Sequence, residues 1–292
     1  MSYRSVFRKD LFAGKCVIVT GGGSGIGRCT AHELAALGAR VALFGRTAEK
    51  LETVRAELAG ELGRDLASAH VCDIRDEERV KAAVSEVLAT HGRIDGLVNN
   101  AGGQFPSPLK HISAKGWETV VKNNLTGGFL MARECSAQWM EEHGGAVVNI
   151  IADIWGGMPG MGHSGAARAG MLNLTETAAC EWAASGVRVN AVAPGWIATS
   201  GFDTYPAEFV KLARSLPRKV PLQRFGNESE VSAAIVFLLS EAAAFVTGAC
   251  LRIDGGVPNA RPTWPLPAHH NSQAYDGFHL HCPPRSLRDD EE

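Results

Sequence analysis

A chain of 292 residues with 45% hydrophobic and 21% charged side chains can bury one sizeable core and is too apolar to be mainly disordered. Its 29 basic and 31 acidic residues leave a net charge of -2, without the cationic surplus that nucleic acid or an anionic membrane would attract. Seven cysteines with no Cys-x-x-Cys pair suggest neither a disulfide framework nor a zinc site, so no metal is expected and a reducing cytoplasmic location fits.

The first eleven residues carry Arg4, Arg8, Lys9 and Asp10 and lack the apolar stretch of a secretory signal. From Lys15 to about Gly256, short apolar runs alternate with helical patterns, the mark of repeated βα units on a parallel sheet. Strands are expected at Cys16 to Thr20, Arg40 to Phe44, Ala67 to Val71, Gly96 to Asn99, Ala146 to Ile151, Val187 to Val192 and Cys250 to Ile253. Helices are expected to start near Gly25, Glu49, Glu77, Ser113, Gly165 and Glu228; in the second, Leu51, Val54, Leu58 and Leu62 fall at helical spacing. The expected fold is α/β: a single doubly wound (Rossmann) domain with a seven-stranded parallel sheet over residues 1–257, followed by a C-terminal tail over 258–292. No run of about 18 apolar residues is present, so no membrane span is expected.

After the first strand comes Thr20-Gly21-Gly22-Gly23-Ser24-Gly25-Ile26-Gly27, a glycine run leading into a helix. Glycine tolerates positive φ and close backbone approach, and a helix start offers free N–H groups to a pyrophosphate. Between strand and helix, Gly21, Gly23, Ser24, Gly25, Ile26 and Gly27 therefore read as a dinucleotide site. About 20 residues further on, where an acid would grip the ribose 2′-hydroxyl of NAD, the sequence is Leu43-Phe44-Gly45-Arg46. No acid stands there. A guanidinium forks onto phosphate oxygens, so Arg46 points to the 2′-phosphate of NADP; a solvated strand end is the alternative.

Gly201 to Phe225 has no strand pattern and includes Phe202, Tyr205, Phe209 and Leu212; it is read as a mobile substrate loop. Beyond Pro258 the chain is rich in proline and histidine, with Pro262, Pro265, Pro267, Pro283 and Pro284, and ends in Asp289-Asp290-Glu291-Glu292 rather than a Ser-Lys-Leu address. This tail is expected either to order against a neighbouring subunit or to be loose.

Further motifs follow in order: Asn99-Asn100-Ala101-Gly102, Asn124-Leu125-Thr126-Gly127, Pro194-Gly195 and Asp254-Gly255-Gly256. With the glycine run they make residues 12 to 257 resemble the short-chain dehydrogenase/reductase family. The resemblance implies that Asp73, beside Ile74, meets the adenine, that Asn100, Ala101 and Gly102 line the cofactor, and that Pro194, Gly195, Ile197 and Thr199 border the nicotinamide and pyrophosphate. It also implies a homotetramer.

The family's usual chemistry uses a serine after the fifth strand and a Tyr-x-x-x-Lys on the next helix. Here the matching five residues are Ser164-Gly165-Ala166-Ala167-Arg168, and Ala152 stands twelve positions before Ser164, followed by Asp153. Of the active positions, the helix asparagine, Asn124, is retained. None of the chain's three tyrosines, Tyr3, Tyr205 and Tyr275, falls in the motif. Arg168 keeps a positive charge and ribose donors but is a poor proton source; Ser164 donates a hydrogen bond but is a weak acid.

A ketone's alkoxide needs an immediate proton, whereas hydride addition to a C=C conjugated with a thioester spreads charge that donors and a cation stabilise. His163 to Gly170 with Asn173-Leu174-Thr175 also resembles the trans-2-enoyl-CoA reductases of the family. The expected activity is NADPH-dependent reduction of a 2-enoyl-CoA or related acyl thioester, with Asn124, Ser164 and Arg168 as catalytic positions. Two alternatives stand: a ketone or alcohol oxidoreductase with a relocated acid, and an NADP-binding protein without catalysis. His163 is read as a cap or packing residue rather than a proton carrier. Asp153 either orients Arg168, contacts substrate or occupies a surface turn. Tyr205 either supplies the missing phenol or packs as a lid.

Overall fold

The computed structural model describes residues 2–260 and 266–288. Pro262, Pro265 and the acidic Asp289 to Glu292 lie outside the described residues, as does the side chain of Leu212. Seven strands, β1 (Cys16–Thr20), β2 (Arg40–Gly45), β3 (Ala67–Val71), β4 (Gly96–Asn99), β5 (Gly145–Ile150), β6 (Val187–Pro194) and β7 (Cys250–Ile253), form one parallel sheet in the order β3-β2-β1-β4-β5-β6-β7. Helices cover both faces, so the strands read as unbroken apolar runs: all five residues of β1 are buried. Val17 and Val19 point into a core with Leu34, Leu51 and Ile235; Ile18 points to the opposite core with Phe44, Val84, Met131 and Val147.

The helices are α1 (Gly25–Ala36), α2 (Ala48–Leu62), α3 (Glu77–His91), α4 (Ala114–Val121), α5 (Gly127–Cys135), α6 (Glu141–His143), α7 (Gly162–Glu181), α8 (Ala207–Ala213) and α9 (Glu228–Leu239). Ser113, the expected start of α4, is its N-cap and accepts the Gly116 N–H at 3.1 Å. Between α4 and α5 the chain keeps helical direction through a wider π turn over Lys122–Thr126, a local distortion often found at functional positions. Because β2 and β4 flank β1, the chain winds away in both directions from that strand. The crevice at the carboxyl ends of β1 and β4 is where ligands bind in such sheets.

Two segments differ from the expectation. Gly201 to Phe225 is not a plain loop: it holds a 3-10 turn over Ser200–Thr204, the helix α8 and a second turn over Leu216–Lys219. These pieces are too short to show a period, and rings rather than periodicity gather them: Tyr205 lies 4.7 Å from Phe209 and 6.1 Å from Phe202. The tail, over 266–288, packs on its own chain. Phe278 is buried against Tyr3 and Cys29, and the Tyr275 hydroxyl donates to the Arg4 carbonyl at 2.6 Å.

His281 pairs with Glu228 at 2.6 Å, and that carboxylate raises the imidazole above the usual histidine range. A raised histidine contributes its stability in full below the unfolded value of about 6.5 and loses it as pH rises through the folded value. Proteolysis of the tail is therefore expected to speed up as pH rises above about 6.5. His281→Ala should cleave fast at every pH; wild-type cleavage that ignores pH counts against the pairing.

Candidate active site

The glycine run turns from β1 into α1 as expected, with Gly21 at φ +65° and Gly25 at φ +51°. A methyl at Gly27 would collide with the Gly21 carbonyl oxygen and lie 2.5 Å from the Asn100 amide nitrogen. Thr20 and Asn100 fasten the turn. The Thr20 hydroxyl accepts the N–H groups of Asn100 and Ala101 and donates to the Val98 carbonyl, while the Asn100 amide donates to the carbonyl of Thr20 at 2.8 Å. Asn100 thus fixes the backbone through its side chain.

Gly21, Gly23, Ser24, Gly25, Ile26, Arg46, Asp73, Ile74, Asn100, Ala101, Gly102 and Thr199 line one cavity of about 370 Å³. A cradle of bare glycines at the start of a 12-residue helix fits a pyrophosphate. Exposed Arg46 lines it together with Lys50 from the first turn of α2, a second cation that the sequence reading missed. Asp73 is less free than expected: Arg75 takes both carboxylate oxygens, at 2.5 and 2.8 Å, and holds the group below the usual carboxylate range.

A second cavity of about 400 Å³ opens beside it and shares Ile26, Asn100, Gly102 and Thr199. Its wall includes Gln104, Ala152, Arg168, Pro194, Gly195, Ile197, Phe202 and Tyr205. Of the three expected catalytic side chains, Arg168 alone is on that wall. Asn124, inside the π turn, and Ser164, on α7, are buried behind it. The Asn124 carbonyl oxygen accepts the Gly103 N–H at 2.9 Å, and its amide points to the Ser164 hydroxyl at 3.4 Å. Ser164 donates at 2.6 Å to the side-chain oxygen of Gln104, whose amide donates at 3.2 Å to the Tyr205 hydroxyl. Gln104 was missed by the sequence reading; its place just beyond the Asn-Ala-Gly-Gly turn is the signal that could have found it.

Arg168 reaches from α7 under Gly102, donates to the Ile150 carbonyl, and packs so close that a side chain at Gly102 would strike the guanidinium. Burial pushes its pKa down to about 10, so it stays charged at neutral pH. Among the described residues it has neither a salt bridge nor a hydrogen bond to a carboxylate. His163 is fully buried, accepts the Ser164 N–H at 2.9 Å and meets the Phe105 ring edge-on. Asp153 makes no hydrogen bond to Arg168 among the described residues; burial and the nearby Asp254 raise its carboxyl.

A family model described as enoyl-(acyl carrier protein) reductase matches residues 21–258. A peroxisomal 2,4-dienoyl-CoA reductase of Danio rerio is 37% identical over 256 residues, covering 87% of this chain and 85% of that protein. A glucose 1-dehydrogenase of Gluconobacter oxydans is 38% identical over 256 residues, covering 85% and 94%. Among solved structures, a citronellol catabolism dehydrogenase of Pseudomonas aeruginosa PAO1 is 60% identical with a TM-score of 0.79, covering 88% of this chain and 100% of that one. With the glycine cradle, the Asn-Ala-Gly turn and the sheet order, these matches establish that the chain belongs to the short-chain dehydrogenase/reductase family of nicotinamide-dependent oxidoreductases.

Proposed function

We propose that this protein is an NADPH-dependent reductase of the C=C bond of a trans-2-enoyl thioester, with acyl-CoA as the substrate class. The observation that carries the reading is the buried Arg168 guanidinium, which has no carboxylate partner among the described residues and faces the second cavity. A cation removed from both water and counter-charge favours negative charge arriving beside it. Charge developing on a thioester oxygen meets Arg168, the Gln104 amide and the Tyr205 hydroxyl, three donors on one wall. The reduced nicotinamide, when bound, supplies the hydride. Arg168 also holds the nicotinamide ribose; Asn124 and Ser164 are positioning residues that keep Gln104 facing the cavity.

Gly21 to Gly27 would hold the cofactor's phosphates, and Asp73, Ile74, Arg46 and Lys50, which line the same cavity, would border its adenosine end. The two cations favour the 2′-phosphate, so Arg46→Asp is expected to shift the kcat/KM ratio from NADPH toward NADH by about 10- to 100-fold, the worth of one or two charge-assisted hydrogen bonds. An unchanged ratio contradicts the NADP assignment.

Alcohol dehydrogenation is the second reading. It is favoured by the 60% identity to the citronellol catabolism dehydrogenase and by the Tyr205 phenol on the cavity wall. The two separate on Tyr205→Phe. If the phenol is the acid of carbonyl chemistry, that variant loses about 100-fold or more of carbonyl turnover; in the enoyl reading it loses one of several donors and keeps its rate within about tenfold.

The experiment that tests the proposal is NADPH oxidation with crotonyl-CoA and longer enoyl-CoA esters beside a matched ketone. Ketone turnover without enoyl turnover overturns it, and NADPH binding without either makes the chain a nucleotide-binding protein. We also place the enzyme in the cytoplasm as a homotetramer, for which light scattering at four times the chain mass is the expected result.

A further inference from the structure

We propose that His32, Glu61 and His279 form a binding site for a divalent transition metal that fastens the tail to α1 and α2. The three residues are far apart in sequence, and the tail's path brings their donor atoms within 4.8 Å of one another. Glu61 stands between the two imidazoles: one oxygen lies 3.2 Å from His32 Nδ1 and the other 2.7 Å from His279 Nε2. The His32 side chain is 0% exposed, and its second nitrogen, Nε2, lies 3.2 Å from Glu57.

A neutral imidazole has one N–H and one lone pair, yet both nitrogens of His32 face carboxylates. When Nε2–H donates to Glu57, the Nδ1 lone pair points at a Glu61 oxygen, an arrangement that asks for a cation between them. Glu57 is itself held in a two-pronged pair by Arg28 at 2.6 and 2.9 Å. Arg28, Glu57 and His32 therefore make a supporting chain of the carboxylate–histidine kind that orients metal ligands and makes them more basic. Two imidazoles and a carboxylate suit zinc or cobalt, with the remaining position left to water.

His279 is 8% exposed at its side chain, and its Nδ1 is buried with no hydrogen-bond partner. That ring is held at Nε2 by the Glu61 carboxylate, and the buried Phe278 precedes it in the chain. Bound metal would fix it. Further along the same tail, the N–H groups of Arg285 and Ser286 bond to Asp203 in the 3-10 turn beside the substrate cavity. Metal at His279 thus secures the segment that reaches this turn.

The test uses the full-length protein, freed of metal with EDTA and titrated with cobalt(II). The expected result is one equivalent bound per chain with visible d–d absorption, and a Tm raised by about 4 °C in zinc at a hundredfold excess over Kd. His279→Gln should lose both signals and keep NADPH binding; Glu61→Gln should do the same. Absence of saturable cobalt absorption in the wild type, or the same spectrum in His279→Gln, overturns the proposal.

Discussion

Arg168→Met is expected to lower kcat for enoyl-CoA reduction by about 10²–10³-fold, the usual cost of removing one preorganised stabiliser of developing charge. The same variant is expected to be at least as stable as the wild type. Burial depresses the folded-state pKa of this cation below its unfolded value, so its charge costs stability at neutral pH, and methionine fills similar volume without that cost. The lost hydrogen bond to Ile150 offsets part of the gain. Opposite signs in activity and Tm are what separate a functional charge from a structural one. A variant that loses Tm and keeps kcat contradicts the assignment.

Gly27→Ala is expected to weaken NADPH binding by about 10- to 100-fold, as about 1–3 kcal/mol of overpacking is forced into the cradle. The added methyl meets the Gly21 carbonyl and the Asn100 amide, and that amide is pinned by donating to the carbonyls of both Thr20 and Gly21. The turn must open, and with it the row of N–H groups at the start of α1. Isothermal titration with NADPH measures the loss. Gly60→Ala is the control: it sits in α2 with nothing within 4 Å of an added methyl, and it should bind normally. Equal affinities for wild type and Gly27→Ala would remove the glycine run from the nucleotide site.

The strands were legible in the sequence because both faces of a parallel sheet are covered, which leaves Cys16-Val-Ile-Val-Thr20 and its counterparts as uninterrupted apolar runs. Their ends shifted where pairing outlasts hydrophobicity: β6 runs on to Pro194 because it keeps a partner in β7. The start of α7 moved back to Gly162 because its first turn is glycine and histidine, which carry no period. Arg168 was legible as a substitution in a spaced motif, but its burial was not. Ser164 shows the limit of such reading. It stands where the motif has tyrosine, yet its hydroxyl is buried and donates to Gln104, a contact that depends on a residue 60 positions earlier. The tail was illegible for a related reason: His279 and Glu61 are 218 residues apart, and only the path of the backbone joins them.

The most direct measurement is the fate of hydride from NADPH deuterated on the nicotinamide, supplied to the enzyme with crotonyl-CoA and a matched ketone together. The account predicts a saturated acyl thioester carrying one deuterium on its β-carbon, read by mass spectrometry and NMR, with the ketone recovered unlabelled. Deuterium on the carbinol carbon of the reduced ketone, beside an untouched enoyl thioester, would contradict it.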